Sequence, residues 1–252
     1  MSQNKWFLVE GNIGCGKTTL LDKLEENNNF EVIREPVNLW LEIKGSDGKN
    51  LLQQFYEEPD RYSYLFQTMV FKTRLESLNC QQIKPYRFSE RSIWTDKNVF
   101  GKSCINSHKM NELETNCYKF WFNWLEDEFF QKPDGIIYLR TDPLKCLERI
   151  HERARYEETS VNLNYLNEIH NYHEEWLKEW NQTPLLTIDN NNDNDWNTIL
   201  DKVNNFIKLN SVSQALPCEA PFNKVKSLNN TVFEYDENAD FHSKISVYDV
   251  EF

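Results

Sequence analysis

The sequence predicts an α/β fold, a parallel sheet of five strands flanked by helices, and three observations carry that prediction. An apolar run, Trp6-Phe7-Leu8-Val9, leads into Gly11-Asn12-Ile13-Gly14-Cys15-Gly16-Lys17-Thr18-Thr19 and then into Leu20, Leu21 and Leu24 at helical spacing. Four further short apolar runs, near residues 30–34, 85–89, 136–139 and 184–189, are separated by longer stretches with helical period. Polar or proline-bearing junctions stand where those strands would end.

The first strand and its loop set the chemistry. G-x-x-x-x-G-K-[ST] between a strand and a helix is a phosphate-binding P-loop. Gly11, Gly14 and Gly16 admit backbone conformations that a Cβ obstructs, so successive N–H groups turn inward around phosphate oxygens. Lys17 reaches the terminal phosphates, the Thr18 hydroxyl is suited to ligate Mg²⁺, and the helix that continues through Thr19 aims its positive end at the anion. A glycine-rich turn that binds nothing is the alternative. The full motif in its proper context favours a bound nucleoside triphosphate.

The second strand, Phe30 to Arg34, stops at Glu35-Pro36, because proline cannot join a sheet ladder and disfavours helix in the residue before it. Glu35 is therefore expected at the carboxyl edge of the sheet, where ligands bind in open parallel sheets. A carboxylate there is a candidate general base; a solvated strand-end glutamate is the plain alternative. Two apolar segments, Val37 to Trp40 and Leu51 to Tyr56, flank a glycine-containing loop, and residues 57–61 interrupt the chain before a long helix expected from Tyr62 to about Gln82. Phe66, Gln67, Val70, Phe71 and Arg74 recur there at spacings of three and four, an apolar face with an amide and a guanidinium set into it. Such a face suits a planar polar ligand.

The third strand, Pro85 to Ser89, ends in Glu90-Arg91-Ser92, again a charged cluster at a strand's carboxyl end. Met110 to Phe130 is a strongly aromatic helix, with Tyr118, Phe120, Trp121, Phe122, Trp124, Leu125, Phe129 and Phe130. Burial within one chain and an interface between chains both fit that composition. Pro133-Asp134-Gly135 turns into the fourth strand, and Pro143 begins a helix that carries Arg149, Arg153 and Arg155. Arg149 and Arg153 are four apart and share a face, with Arg155 rotated away. In an acidic chain such a cluster invites phosphate; ion pairing with Glu152 and Glu157 on a solvated helix is the alternative. A helix over Leu163 to Trp180, the fifth strand, an Asn/Asp-rich loop over 189–195 and an amphipathic helix from Trp196 to Ile207 complete the pattern.

Composition narrows the partners. The 252 residues are 39% hydrophobic and 14% aromatic, enough for one substantial core. A net charge of -12 argues against a nucleic acid as the main partner, because phosphate contacts require clustered Lys and Arg. The six cysteines show no metal-type or disulfide-framework spacing and read as thiols of a reducing, cytoplasmic compartment. His151, His170 and His173 lack metal-type spacing as well. No apolar run approaches a membrane span, and with a strand starting near Trp6 no signal or transit peptide is expected unless the chain is already processed.

Taken together, the P-loop, Glu35-Pro36-Val37, Phe66-Gln67-Thr68, Glu90-Arg91-Ser92 and the arginine-rich segment resemble the family of cellular and viral deoxynucleoside kinases, in the family's order and over roughly residues 5–208. The resemblance implies a P-loop kinase with strand order 2-3-1-4-5 and a lid segment, with Mg²⁺ and ATP as donor. It implies Glu35 as general base toward the 5′-hydroxyl, Arg91 beside it, Glu90 with Thr18 at Mg²⁺, and Arg149, Arg153 and Arg155 as the lid over ATP. Trp40, Phe66 and Phe100 match the residues that sandwich the base, Gln67 the one that addresses its edge, and Tyr56 with Glu158 the pair at the 3′-hydroxyl. Arg74 and Asp96 match the pair found in family members that take deoxycytidine or purine deoxynucleosides, so thymidine is expected to be poor. Val70 is bulkier than the family's usual residue there, which leaves adenine, guanine and cytosine open, with a purine favoured. A homodimer is implied in the same way.

Residues 1–209 are thus expected to form the kinase domain and 210–252 an extension of unknown structure, with scattered aromatics and no clear period. The expected activity is phosphorylation of a deoxynucleoside in nucleotide salvage. A deoxycytidine-preferring enzyme, a thymidylate-kinase-like monophosphate kinase and a non-enzymatic nucleotide switch are the alternatives. The monophosphate kinase would need cationic groups for an acceptor phosphate, and the switch would need neither Glu35 nor Gln67.

Overall fold

A computed structural model describes residues 4–78, 80–129, 132–191, 195–211, 231–235 and 245–249, the last two segments as backbone, and no side chains at 125 and 127–129. β1 (Lys5–Glu10) runs through the phosphate loop into α1 (Lys17–Glu25), and β2 (Phe30–Ile33) is followed by α2 (Val37–Glu42), α3 (Leu51–Glu57) and α4 (Pro59–Leu78). β3 (Tyr86–Glu90) leads to α5 (Ile93–Thr95), a π-helical turn (Asp96–Gly101), α6 (Lys102–Asn106) and α7 (Glu112–Phe129). Then come β4 (Gly135–Arg140), α8 (Pro143–Arg153), a 3₁₀ turn (Tyr156–Glu158), α9 (Leu163–Glu179), β5 (Leu185–Asp189) and α10 (Trp196–Ser211). The expected five-stranded parallel sheet is present in the order β2-β3-β1-β4-β5.

The sheet is covered on both sides, so strands are apolar at successive positions rather than at alternate ones. Phe7, Leu8 and Val9 of β1 are each fully buried. Leu8 packs into a core that takes in Phe71 of α4, Tyr118 and Phe122 of α7 and Trp176 of α9. Phe7 and Val9 pack into another with Leu20 and Leu21 of α1 and Ile199 and Val203 of α10. In register, Val9 lies beside Glu90 and Ile137, which brings the carboxyl ends of the three central strands to one edge.

Three features depart from the sequence expectation or resolve what it left open. α4 starts at Pro59 rather than Tyr62 and ends at Leu78 rather than near Gln82. Proline suits the first helical position because its missing N–H has no intrahelical partner to lose. The aromatic helix is two-faced: Tyr118 and Phe122 are buried, whereas Phe120, Trp121 and Trp124 are 73%, 47% and 38% exposed. Phe130 and the side chains of Leu125 and Phe129 lie outside the described residues. Finally, the extension contains two antiparallel strands, β6 (Thr231–Tyr235) and β7 (Ile245–Asp249), where the sequence offered no period.

Candidate active site

The phosphate loop is rigidly built. Gly11 has φ 144°, and a Cβ there would come within 2.7 Å of the Leu139 carbonyl oxygen, so the loop's close approach to β4 requires glycine. Gly16 caps α1 in the left-handed region at φ 100°. Asn12 donates its side-chain N–H to the Leu166 carbonyl at 2.9 Å and accepts the Ile13 N–H at 2.8 Å. Lys17 folds over the loop, its Nζ 2.8 Å from the Asn12 carbonyl and 3.2 Å from that of Gly11. The Cys15 carbonyl accepts from Thr141 Oγ1 (3.3 Å), Asn190 Nδ2 (2.8 Å) and Arg149 Nη1 (3.4 Å), which ties the loop to the ends of β4 and β5. Thr18 and Thr19 are exposed at the start of α1.

Beside the loop, Glu35 leaves the end of β2 and meets two guanidiniums. Arg91 Nη1 donates to both carboxylate oxygens at 2.9 and 3.1 Å, and Arg74 Nη2 donates to one at 3.3 Å. Burial opposes ionisation of Glu35, but the charges of Arg91, Arg74 and Lys17 and the Arg91 hydrogen bond outweigh it and hold its pKa below the usual carboxylate range. Arg91 itself lies over the Phe100 ring, 4.6 Å from the centroid. Arg74 spans two carboxylates, since Asp96 also accepts from its Nε and Nη2 at 2.6 and 2.9 Å.

In front of Glu35 opens a cleft that sets a few polar groups among aromatic walls, the kind of lining small-ligand pockets favour. Trp40, Tyr56, Phe66, Gln67, Val70, Arg91, Asp96, Phe100 and Glu158 line it together, and so does Arg155, which the sequence reading placed with the lid over ATP. Phe66 stacks on Phe55 at 4.4 Å and meets the Trp40 edge at 5.2 Å. Trp40 Nε1 donates to Thr73 Oγ1 at 3.1 Å, which fixes the indole. Gln67 is buried, and its Oε1 has no partner among the described residues, an acceptor turned to the cleft wall without a donor. Burial and the nearby Glu158 carboxylate push the Tyr56 phenol upward, so it stays a donor at neutral pH.

The arginines expected to form the lid are each tied to partners within the chain. Arg149 donates to the carbonyls of Cys15 and Asn190, whereas Arg153 and Arg155 both pair with Glu158 rather than with Glu152 or Glu157. Ala154, left-handed at φ 51°, ends α8 and turns Arg155 back toward the cleft. Arg74 is not on the cleft wall. It stands behind Asp96, so the pair presents its carboxylate side to the cleft.

A divalent ion has suitable oxygens: Thr18 Oγ1 lies 3.5 Å from Glu90 Oε1, at the junction of the loop and β3. No group of three or more His, Cys, Asp or Glu is placed to hold a metal among the described residues. A hydroxyl and one carboxylate, with phosphate oxygens and water completing the shell, is the donor set Mg²⁺ prefers.

Several residues escaped the sequence reading. Leu52, Phe55 and Tyr165 line the cleft, and Ile13 does so although it belongs to the phosphate loop. Asn190, read as part of a biased loop, is buried and pins Cys15. Glu10 is wholly buried at the end of β1. Only Glu10 carried a signal, a lone carboxylate closing an apolar strand directly before Gly11.

A sheet-edge phosphate loop facing a carboxylate that two arginines keep ionised is the equipment of a P-loop phosphotransferase, and the aromatic cleft gives it a second, organic substrate. The model of the deoxynucleoside kinase family matches residues 7–208. Chicken deoxycytidine kinase 2 is 37% identical over 73% of this chain and 82% of its own length, and mouse deoxycytidine kinase is 35% identical over 81% and 91%. Macaque mitochondrial thymidine kinase 2 is 36% identical over 70% of this chain and 66% of its own. The chain belongs to the deoxynucleoside kinase family and is an enzyme that phosphorylates nucleosides. Its membership sets aside the nucleotide switch.

Proposed function

We propose that the protein transfers the γ-phosphoryl group of ATP to the 5′-hydroxyl of a deoxynucleoside whose base carries an exocyclic amino group. The observation that carries this reading is the ionised Glu35 carboxylate beside the phosphate loop, held by Arg91 and Arg74 at the base of the cleft. Glu35 accepts the proton of the 5′-hydroxyl as that oxygen attacks, and Arg91 keeps the carboxylate ionised and offsets charge that develops on the transferring group. Lys17 and the loop N–H groups of residues 11–19 hold the phosphates, with Arg149, Arg153 and Arg155 closing over them. Mg²⁺, held by Thr18 and Glu90, would neutralise phosphate charge. Trp40, Phe66 and Phe100 clasp the base, while Tyr56 and Glu158 hold the 3′-hydroxyl.

Base choice follows from the far wall. Gln67 Oε1 and the Asp96 carboxylate are acceptors, which suit an amino group and leave the 4-carbonyl of thymine facing like polarity. Among amino-bearing bases we favour a purine deoxynucleoside. Deoxycytidine is the second reading, favoured by the names of the chicken, mouse and human relatives. Turnover of Mg-ATP with deoxyadenosine, deoxyguanosine, deoxycytidine and thymidine separately tests both. Thymidine as the best substrate would defeat the pocket argument. Glu35→Gln is expected to lower kcat by roughly a hundredfold or more while ATP binding, read by equilibrium titration, is retained. Full activity of that variant would remove Glu35 from the mechanism.

We further propose a homodimer formed through the exposed aromatic face of α7, a cytoplasmic enzyme, and a catalytic domain over residues 1–209 with 210–252 as an extension. The exposed Phe120, Trp121 and Trp124 support the dimer, and the family match ending at residue 208 supports the boundary. Among the described residues no helix is long and apolar enough to cross a membrane.

A further inference from the structure

Glu10 has no part in the chemistry above, yet it is wholly buried at the end of the central strand, one residue before the phosphate loop. Its Oε1 accepts the Ser92 hydroxyl at 2.7 Å and its Oε2 accepts the Thr95 hydroxyl at 2.6 Å. Those two hydroxyls also close the cap of α5, where the Thr95 N–H donates to Ser92 Oγ at 3.3 Å and the Ser92 N–H donates to Thr95 Oγ1 at 3.2 Å. A capping box satisfies its backbone donors without any carboxylate. Burying one there is unfavourable in itself, so the cap alone does not account for Glu10.

What the arrangement does constrain is Arg91, the residue between β3 and the cap. Its backbone is left-handed at φ 61°, a conformation that persists in a non-glycine residue only when its surroundings enforce it. The Arg91 N–H donates to the Val9 carbonyl at 3.0 Å, and the next residue, Ser92, is gripped by Glu10. Consecutive residues at the end of β1 thus hold consecutive residues after β3. The side chain that leaves this strained position is the one that meets Glu35.

We propose that Glu10 is a positioning residue for phosphoryl transfer: by holding the Ser92 and Thr95 hydroxyls it fixes the Arg91 backbone and aims its guanidinium at Glu35, in step with the phosphate loop that begins at the adjacent residue. This rests on the roles given above to Arg91 and Glu35. It also explains why one strand end carries both the loop and the grip, since a shift of either relative to the other would misalign donor phosphate and base.

The test is a double-mutant cycle in the full-length enzyme, assayed at about pH 8 so that Glu10 is ionised and accepts both hydroxyls, with Glu10→Gln, Arg91→Lys and both together. Gln keeps the size of Glu10 but replaces one acceptor with a donor that faces a hydroxyl oxygen already receiving a backbone N–H. Glu10→Gln is expected to lower kcat roughly ten- to a hundredfold with both KM values within about threefold of wild type. In the Arg91→Lys background the same change is expected to alter kcat by less than about twofold, because its effect runs through the guanidinium. Multiplying losses, or an unchanged kcat for Glu10→Gln while Arg91→Lys is impaired, would overturn the proposal and leave the reading of Arg91 standing. Arg91→Lys at full rate would overturn that reading, and this proposal with it. Should Glu10→Gln not unfold cooperatively on heating, Thr95→Val removes one arm of the grip from the other side, with the same expected pattern, and full activity there overturns the proposal.

Discussion

Two buried carboxylates a strand apart are driven in opposite directions, and their partners decide which. Glu35 faces two arginines and Lys17, which hold its pKa down despite burial. Glu10 is also near Arg74 and Arg91, but burial outweighs them and its hydroxyl partners and raises its pKa from 4.5 to about 7. The folded protein therefore binds a proton at Glu10 that the unfolded chain has released between pH 4.5 and about 7. That contribution to stability is complete below the unfolded value and is lost as pH rises through about 7. Relative to Glu10→Gln, wild type should lose roughly 3 kcal/mol of stability between about pH 5 and about pH 8, measured by denaturant unfolding at each pH. A pH-independent difference would refute it. The Arg74–Asp96 pair makes a second case, because it is buried and closed by two hydrogen bonds. Asp96→Ala leaves Arg74 only Glu35 and the Glu90 carbonyl as partners, so a loss of roughly 3 kcal/mol is expected in thermal or denaturant unfolding, with thymidine turnover rising relative to the amino-bearing nucleosides.

At the scale of elements, the lid segment is a helix stopped short so that its arginines diverge. Arg149, early in the last turns of α8, reaches the phosphate loop, while the left-handed Ala154 breaks the helix and lets Arg153 and Arg155 converge on Glu158. A Cβ is unfavourable in that conformation and glycine is not. Ala154→Gly should therefore stabilise the protein by roughly 0.5 kcal/mol after allowance for the freer unfolded chain, seen as a small rise in Tm. A fall in Tm would mean that the Ala154 methyl makes packing contacts that matter more than its backbone. The π-helical turn over Asp96–Gly101 works similarly: it widens the helix that carries Asp96 and Phe100, both of which line the cleft.

For the whole molecule, the charge and the exposed aromatic face set the terms of association. The chain is acidic overall, so its solubility does not depend on hiding α7, yet Phe120, Trp121 and Trp124 stay exposed on one helix. Trp121→Glu places a charge in that face. If the face is the dimer contact, sedimentation should report a shift from about twice 30.2 kDa to the single-chain mass. An unchanged dimer would move the contact elsewhere.

The sequence by itself determined the sheet, its order through the family resemblance, the phosphate loop and nearly every wall of the cleft. The strands and the phosphate loop are written in local signals, namely strand runs, helical spacing, glycines at fixed offsets and charged residues where strands end, whereas the strand order and most of the cleft residues came through the family resemblance. Two sets of partners had no such signal. Glu158 as the partner of both lid arginines and Glu10 gripping the cap beyond Arg91 join positions that lie 3 to 85 residues apart. Their partners are chosen by which strand ends the sheet brings to one edge and by the demand that charges buried there be paired. Only the folded chain can meet that demand, because it is the sheet order that makes Glu10 and Thr95 neighbours.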